Sequence, residues 1–213
     1  MNLITVSREF GSGGRELGKR LAEHLGYAYY DREILTLLAE ETALNEEYLD
    51  RVLERGAGMQ SFAISIGHTF AAQLGAPQLS ANLLARQTQL MKELAQRGNC
   101  VIVGRNANVI LSELEPLRLF VHAEMPARIA RCRARAPEGE QLTDRQYEKN
   151  IRQVDRERAK LHDMLCSYDW SDVRGYDLCI NTSYRRIKDL IPALGMYAEA
   201  WFTGRGERTE QQG

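Results

Sequence analysis

The sequence offers little that would assign it a partner or a compartment by composition. Its 28 Lys and Arg are matched by 29 Asp and Glu, a net charge of −1, so no global excess of positive charge argues for a nucleic-acid or membrane partner. The four cysteines, Cys100, Cys132, Cys166 and Cys179, lie far apart with no C-x-x-C pair, which argues against a disulfide framework. His24, His68, His122 and His162 have no partner at metal-ligand spacing, so no zinc site is expected. The N-terminus has no apolar stretch of signal-peptide type, and no window approaches the roughly 18 apolar residues that cross a bilayer. These absences predict a soluble protein of the reduced cytoplasm. The polar segment 204–213 is expected to be a disordered tail.

What is present is concentrated in LITVSREFGSGGRELGKRLAEHL, residues 3–25. A β-branched run enters a loop with glycines at 11, 13 and 14 and leaves it as an amphipathic helix marked by Leu17, Leu21 and Leu25. Glycine backbone can curl around an anion and aim several N–H groups at it while the helix dipole adds partial positive charge. The loop Gly11, Ser12, Gly13, Gly14, Arg15 and Glu16 is therefore the candidate nucleotide-phosphate site. Aligning the last glycine of the pattern G-x-x-x-x-G-K-[ST] with Gly14 puts Glu9 at the first position, Arg15 at the lysine and Glu16 at the hydroxyl residue. Arg15 keeps the charge and can hold phosphate in a bidentate fork. Glu16 would repel phosphates unless turned away or bridged by magnesium. The plainer alternative is a glycine-rich turn with no ligand.

Short apolar runs at Leu3–Val6, Tyr27–Tyr30, Cys100–Val103, Leu117–His122 and Tyr176–Asn181 predict five buried strands separated by helices. Right-handed crossovers then give an α/β fold, a doubly wound five-stranded parallel sheet whose ligand lies at the carboxyl ends of the strands. Leu83, Leu84, Leu90, Met91 and Leu94 mark the buried face of a later helix. One domain, 1–203, is expected, with a helical insertion at 41–80 over the site and a lid region at 125–165.

Two further segments gather local charge. Gly104-Arg105-Asn106 follows the third strand and points an arginine into the cleft. Around 147–165, Tyr147, Ile151, Val154, Leu161 and Leu165 form a core stripe, while Lys149, Arg152, Arg156 and Lys160 share another face. Between Arg128 and Lys160 there are ten Lys or Arg against six Asp or Glu, which suits a lid over phosphates; the competing reading is a solvated helical face. Trp170 and Trp201 are assigned to packing rather than to a nucleobase.

In order, ITVSREFGSGGRELGKRLAEHLG, YYDREIL, VIVGRNAN, VDRERA and YDLCINTS resemble the cytidylate kinase-like family of P-loop proteins, over roughly residues 1–197. The resemblance implies a nucleoside monophosphate kinase fold that binds ATP and Mg2+. Carried over by position, Asp31 and Arg32 become acceptor-site candidates. Arg105 and Asn106 match a Gly-Arg-Asp that meets the acceptor phosphate, and Arg156 and Arg158 match a lid that clamps the phosphoryl group. Arg15, Arg156 and Arg158 are thus the catalytic candidates. Magnesium is the weak point of the match, because Glu16, Val103 and Asn106 stand where the established enzymes carry a hydroxyl and two acids, leaving Glu16 or Asp31 to hold the ion.

The expected activity is transfer of the ATP γ-phosphoryl group to a small acceptor, with a pyrimidine nucleoside monophosphate such as CMP leading. The alternative is a nucleotide- or anion-binding regulatory module that has lost transfer. A third reading makes the 41–80 helices a homodimer interface, on the strength of Phe62, Ile64, Ile66 and Phe70 alone. Small-molecule nucleotides are the expected partners.

Overall fold

The computed structural model describes residues 1–54 and 76–210. Five parallel strands, β1 (Leu3–Arg8), β2 (Ala28–Tyr30), β3 (Cys100–Val103), β4 (Leu117–His122) and β5 (Leu178–Asn181), form one sheet in the order β2-β3-β1-β4-β5. The apolar runs thus identified all five strands. β1 extends two residues past Val6, so Arg8 is the last residue of the central strand.

Period-two alternation divides the core. Ile4 and Val6, with Val101 and Val103, face a layer made by α1 (Gly14–Leu25) and α8 (Ile187–Glu210), whose Leu17, Leu21, Ile187 and Ile191 cover them. Leu3, Cys100 and Ile102 face the opposite layer of α2 (Glu33–Thr42), α3 (Glu46–Glu54) and α4 (Ala76–Gln96), where Leu83, Leu90, Met91 and Leu94 are buried. Leu84 is only half-buried at the edge of that cluster. Helices on both faces leave the strand ends as the remaining place for a ligand.

The short α5 (Ala107–Ile110) follows β3, and α6 (Met125–Ala134) and α7 (Asp144–Asp163) make up the expected lid region. A reciprocal capping box between Thr143 and Gln146 starts α7. Its buried stripe holds Tyr147 and Ile151, but Leu165 is 46% exposed and the fully buried position in that turn is His162. The helix ends at Asp163, so the spacing that would bring Leu165 back to the core is lost. Two other expectations change. The segment expected to be a tail from 204 is helical as far as Glu210. Of the expected insertion, only the end of α2, α3 and the start of α4 are described; Phe62, Ile64, Ile66 and Phe70 lie outside the described residues.

Candidate functional site

From Arg8 the chain turns through residues 9–13 into α1. Gly11 and Gly13 carry the left-handed backbone the turn needs, with φ of 78° and 87°. Gly13 is the helix N-cap and offers no side-chain cap, so the first amides of α1 are presented toward whatever anion the loop encloses. Ser12 is buried and braces the turn: its hydroxyl donates to the Glu9 carbonyl at 2.8 Å and its carbonyl accepts from the Thr182 hydroxyl at 2.6 Å.

This geometry corrects the register of the glycine motif. The last motif glycine is the one that must be left-handed at the entry to the helix, and that residue is Gly13, while Gly14 is the first helical residue. Counting G-x-x-x-x-G-K-[ST] back from Gly13 places Arg8 at the first glycine, Gly14 at the lysine and Arg15 at the hydroxyl residue.

Residues that the sequence reading missed hold the loop in shape. Arg128, 4% exposed, donates to the Phe10 carbonyl at 2.7 Å, lies 3.3 Å from Glu9 and is ion-paired with Asp155. Asp155, from α7, also accepts the Phe10 amide at 2.8 Å. Arg131 reaches the Gly11 and Ser12 carbonyls at 3.4 and 3.2 Å and bonds the Thr182 carbonyl after β5. Burial, with Arg135 nearby, lowers the Arg131 pKa from its ordinary value. The Phe10, Gly11 and Ser12 carbonyls are thus all engaged, while the Phe10 and Ser12 amides bond Asp155 and the Glu9 carbonyl.

Arg15 leaves the first turn of α1 to pair with Asp31 at the end of β2, Nε to Oδ2 at 2.5 Å; its side chain is 57% exposed and that of Asp31 only 5%. The Tyr29 hydroxyl lies 3.5 Å from the same carboxylate, and burial followed by the Asp31 charge pushes its pKa well above the usual tyrosine value. Glu16 is engaged elsewhere, with Arg20 at 2.9 Å and Arg135 at 2.7 Å. It is therefore turned away from the loop interior and fits poorly as a magnesium ligand. Asp31 fits better, since its Oδ1 is buried with no hydrogen-bond partner. Among the described residues no group of three or more His, Cys, Asp or Glu could hold a metal ion, so substrate oxygens and water would have to complete the shell. Arg32 is exposed and caps the start of α2, its carbonyl accepting from Leu35 and Thr36.

A cleft opens beside the loop at the carboxyl ends of β1 and β3, lined among others by Arg8, Gly104, Arg105, Asn106, Arg158 and Trp170. Gly104, Arg105 and Asn106 are all left-handed, at φ 80°, 55° and 53°. For a buried arginine this conformation is rare and belongs with strained, functional turns. Its side chain, 1% exposed, is 3.7 Å from Asp50 and 3.3 Å from the Gln87 amide oxygen. Arg158 comes from α7, donates to the Arg8 carbonyl at 3.0 Å and stacks on Phe10.

The candidates thus divide. Gly11 to Gly14 frame the loop, and Arg105, Asn106 and Arg158 meet in the cleft. Arg15 and Asp31 form a pair near the helix start. Arg156 lies on the outer face of α7 and bonds Gln153 at 2.7 Å, and Lys149, Arg152 and Lys160 are exposed with it. That basic face is the solvated one; spacings of three and four located a charged face but could not say that the arginine facing inward was Arg158.

Comparison with known proteins agrees with this architecture. A family model described as the cytidylate kinase-like family matches residues 3–184. The cytidylate kinase of Pyrococcus horikoshii is 27% identical over 182 residues, covering 85% of this chain and 80% of that protein. An uncharacterized protein of Eubacterium ventriosum superposes with a TM-score of 0.64 at 23% identity, over 93% of this chain and 99% of that one. The shikimate kinase of Bacteroides thetaiotaomicron does so with a TM-score of 0.56 at 16% identity, over 93% and 98%.

Proposed function

Since the chain belongs to the cytidylate kinase-like family, we propose that it is a phosphotransferase passing the γ-phosphoryl group of ATP to a nucleoside monophosphate, with CMP the first acceptor to test. The supporting observation is the cleft in which Arg105 and Arg158 stand beside a glycine turn whose last left-handed residue caps α1 without a side chain. Phosphoryl transfer asks the protein for little covalent chemistry; it needs positioned phosphates and positive charge that does not reorganise.

In this reading the Gly11–Gly14 backbone and the α1 dipole hold the donor phosphates. Arg105, fixed by Gln87 and Asp50, orients the acceptor phosphate, and Arg158 faces the group between them. Asp31 would hold magnesium, with Arg15 setting its position; the ion would supply neutralisation of the phosphate charge. Trp170 and Leu161 supply an apolar wall that limits water.

The test is ADP release with ATP and magnesium against CMP, dCMP, UMP, AMP, GMP and non-nucleotide acceptors. Arg105→Ala is expected to raise the KM for the acceptor about ten- to a hundredfold, the loss expected of a charge-assisted phosphate contact, and Arg15→Ala to lower turnover sharply. A second reading, a nucleotide-binding module without transfer, is favoured by Gly14 at the lysine position and by the commitment of Arg15 to Asp31. It would show ATP binding by calorimetry with no product against any acceptor.

A further inference from the structure

Gly14 and Gly104 are on different elements, α1 and the turn after β3, yet the same side chain crowds both. A Cβ at Gly14 would lie 2.5 Å from the Arg8 Cβ and 3.0 Å from its Cγ. A Cβ at Gly104 would fall on the Arg8 guanidinium, at Nη1. The Arg8 side chain therefore starts in the space that a side chain at 14 would occupy and ends against the Gly104 backbone. It is 7% exposed and lines the cleft with Arg105 and Arg158.

Position 14 is where the motif register puts the lysine, and position 8 is where it puts the first glycine. The two have exchanged character: the lysine position has lost its side chain, and the glycine position has gained a cationic one. We propose that Arg8 is a phosphate-binding residue that takes over the task of the absent loop lysine, delivering its guanidinium from the end of β1 to the terminal phosphoryl group of a bound nucleoside triphosphate. The inference rests on the reading of the cleft as a phosphate site, and it assigns the donor contact to a residue outside the glycine loop.

The physical case has three parts. The route is steric: only glycine at 14 and 104 lets the side chain pass. The endpoint is electrostatic: three guanidiniums line one cleft, a donor set suited to the several oxygens of a multiply charged anion. The origin is rigid: Arg8 is on the central strand, its own carbonyl held by Arg158 at 3.0 Å, so its charge is positioned before a ligand arrives. A guanidinium also differs from an ammonium in binding two phosphoryl oxygens at once.

The experiment is calorimetric binding of ATP and ADP, with ADP release in parallel, for wild type, Arg8→Gln, Arg8→Lys, Arg8→Gly and the exchange Arg8→Gly/Gly14→Lys, each checked by thermal unfolding. Arg8→Gln is expected to weaken ATP binding about ten- to a hundredfold and ADP binding less, with Arg8→Lys intermediate. The exchange variant returns the charge to the loop in the space vacated by Arg8, and is expected to recover most of the ATP affinity lost in Arg8→Gly. ATP affinity unchanged in Arg8→Gln overturns the proposal. So does an exchange variant that unfolds at the wild-type temperature yet regains no affinity, which would make Arg8 a structural residue. A wild-type chain that binds neither nucleotide overturns both readings; one that binds ATP without turnover ends the transferase reading alone, and the affinity comparison still decides the role of Arg8.

Discussion

Buried charge shapes this loop, and each buried ion must be matched because an unpartnered one costs several kcal/mol. Arg128 and Asp155 are the clearest pair, with side chains 5% and 17% exposed. Asp155→Asn would leave Arg128 with Glu9 as its remaining carboxylate and is expected to cost about 1.5–3 kcal/mol, read as a lowered urea midpoint with an unchanged slope. His162 gives a pH signature. Fully buried, with Cys166 Sγ 2.9 Å from its Nε2 and the Tyr168 ring edge-on at 5.0 Å, it has its pKa lowered below 6.5 chiefly by burial, against the opposing charge of Asp163. The unfolded chain therefore binds a proton that the folded one does not, and stability falls as pH drops below about 6.5 toward the folded value. The urea midpoint at pH 5.5 is expected to lie below that at pH 7.5, and His162→Gln to flatten the difference.

At the scale of elements, strands and helix starts were legible and side-chain partnerships were not. Five apolar runs gave five strands because a short apolar run bounded by turn residues is signal enough; β1 and β3 are fully buried, while the edge strands β2 and β5, expected to be buried too, are only partly so. The cap of α7 is local chemistry, and Thr143→Ala is expected to cost about 1 kcal/mol by denaturant titration, with nucleotide affinity unchanged because Thr143 is exposed and remote from the cleft. The site was half legible. Gly11, Gly13 and Arg105 stood out because left-handed turns and a strand-end arginine leave marks in the sequence. The motif register could not be fixed without knowing which glycine is left-handed, so Arg15 was read at a position that Gly14 holds. Arg128 and Asp155 are 27 residues apart, and nothing in one sequence links them. The period of α7 showed one core stripe and one basic face, but its orientation depends on packing against the loop, which separates Arg158 from Arg156.

Across the whole molecule, the strand order sets β1 between β3 and β4, so the loop after β1 and the turn after β3 open side by side. The doubly wound sheet thus brings the two turns together, and α7 touches the first of them through Asp155 and Arg158. A ligand that joins these parts stabilises the fold by mass action, about 2.7 kcal/mol at a hundredfold excess over Kd. For a domain of this size that corresponds to a rise in Tm of about 5–10 °C. ATP with magnesium is expected to give a shift of this order in a thermal scan, and inorganic phosphate a smaller one.

The bond from the Phe10 amide to Asp155 has a consequence for observing motion. That proton belongs to the loop and its acceptor to α7, so its exchange with solvent deuterium reports on the contact between the two and needs no label and no substrate. A nucleotide that held α7 against the loop would slow this one amide well beyond its neighbours.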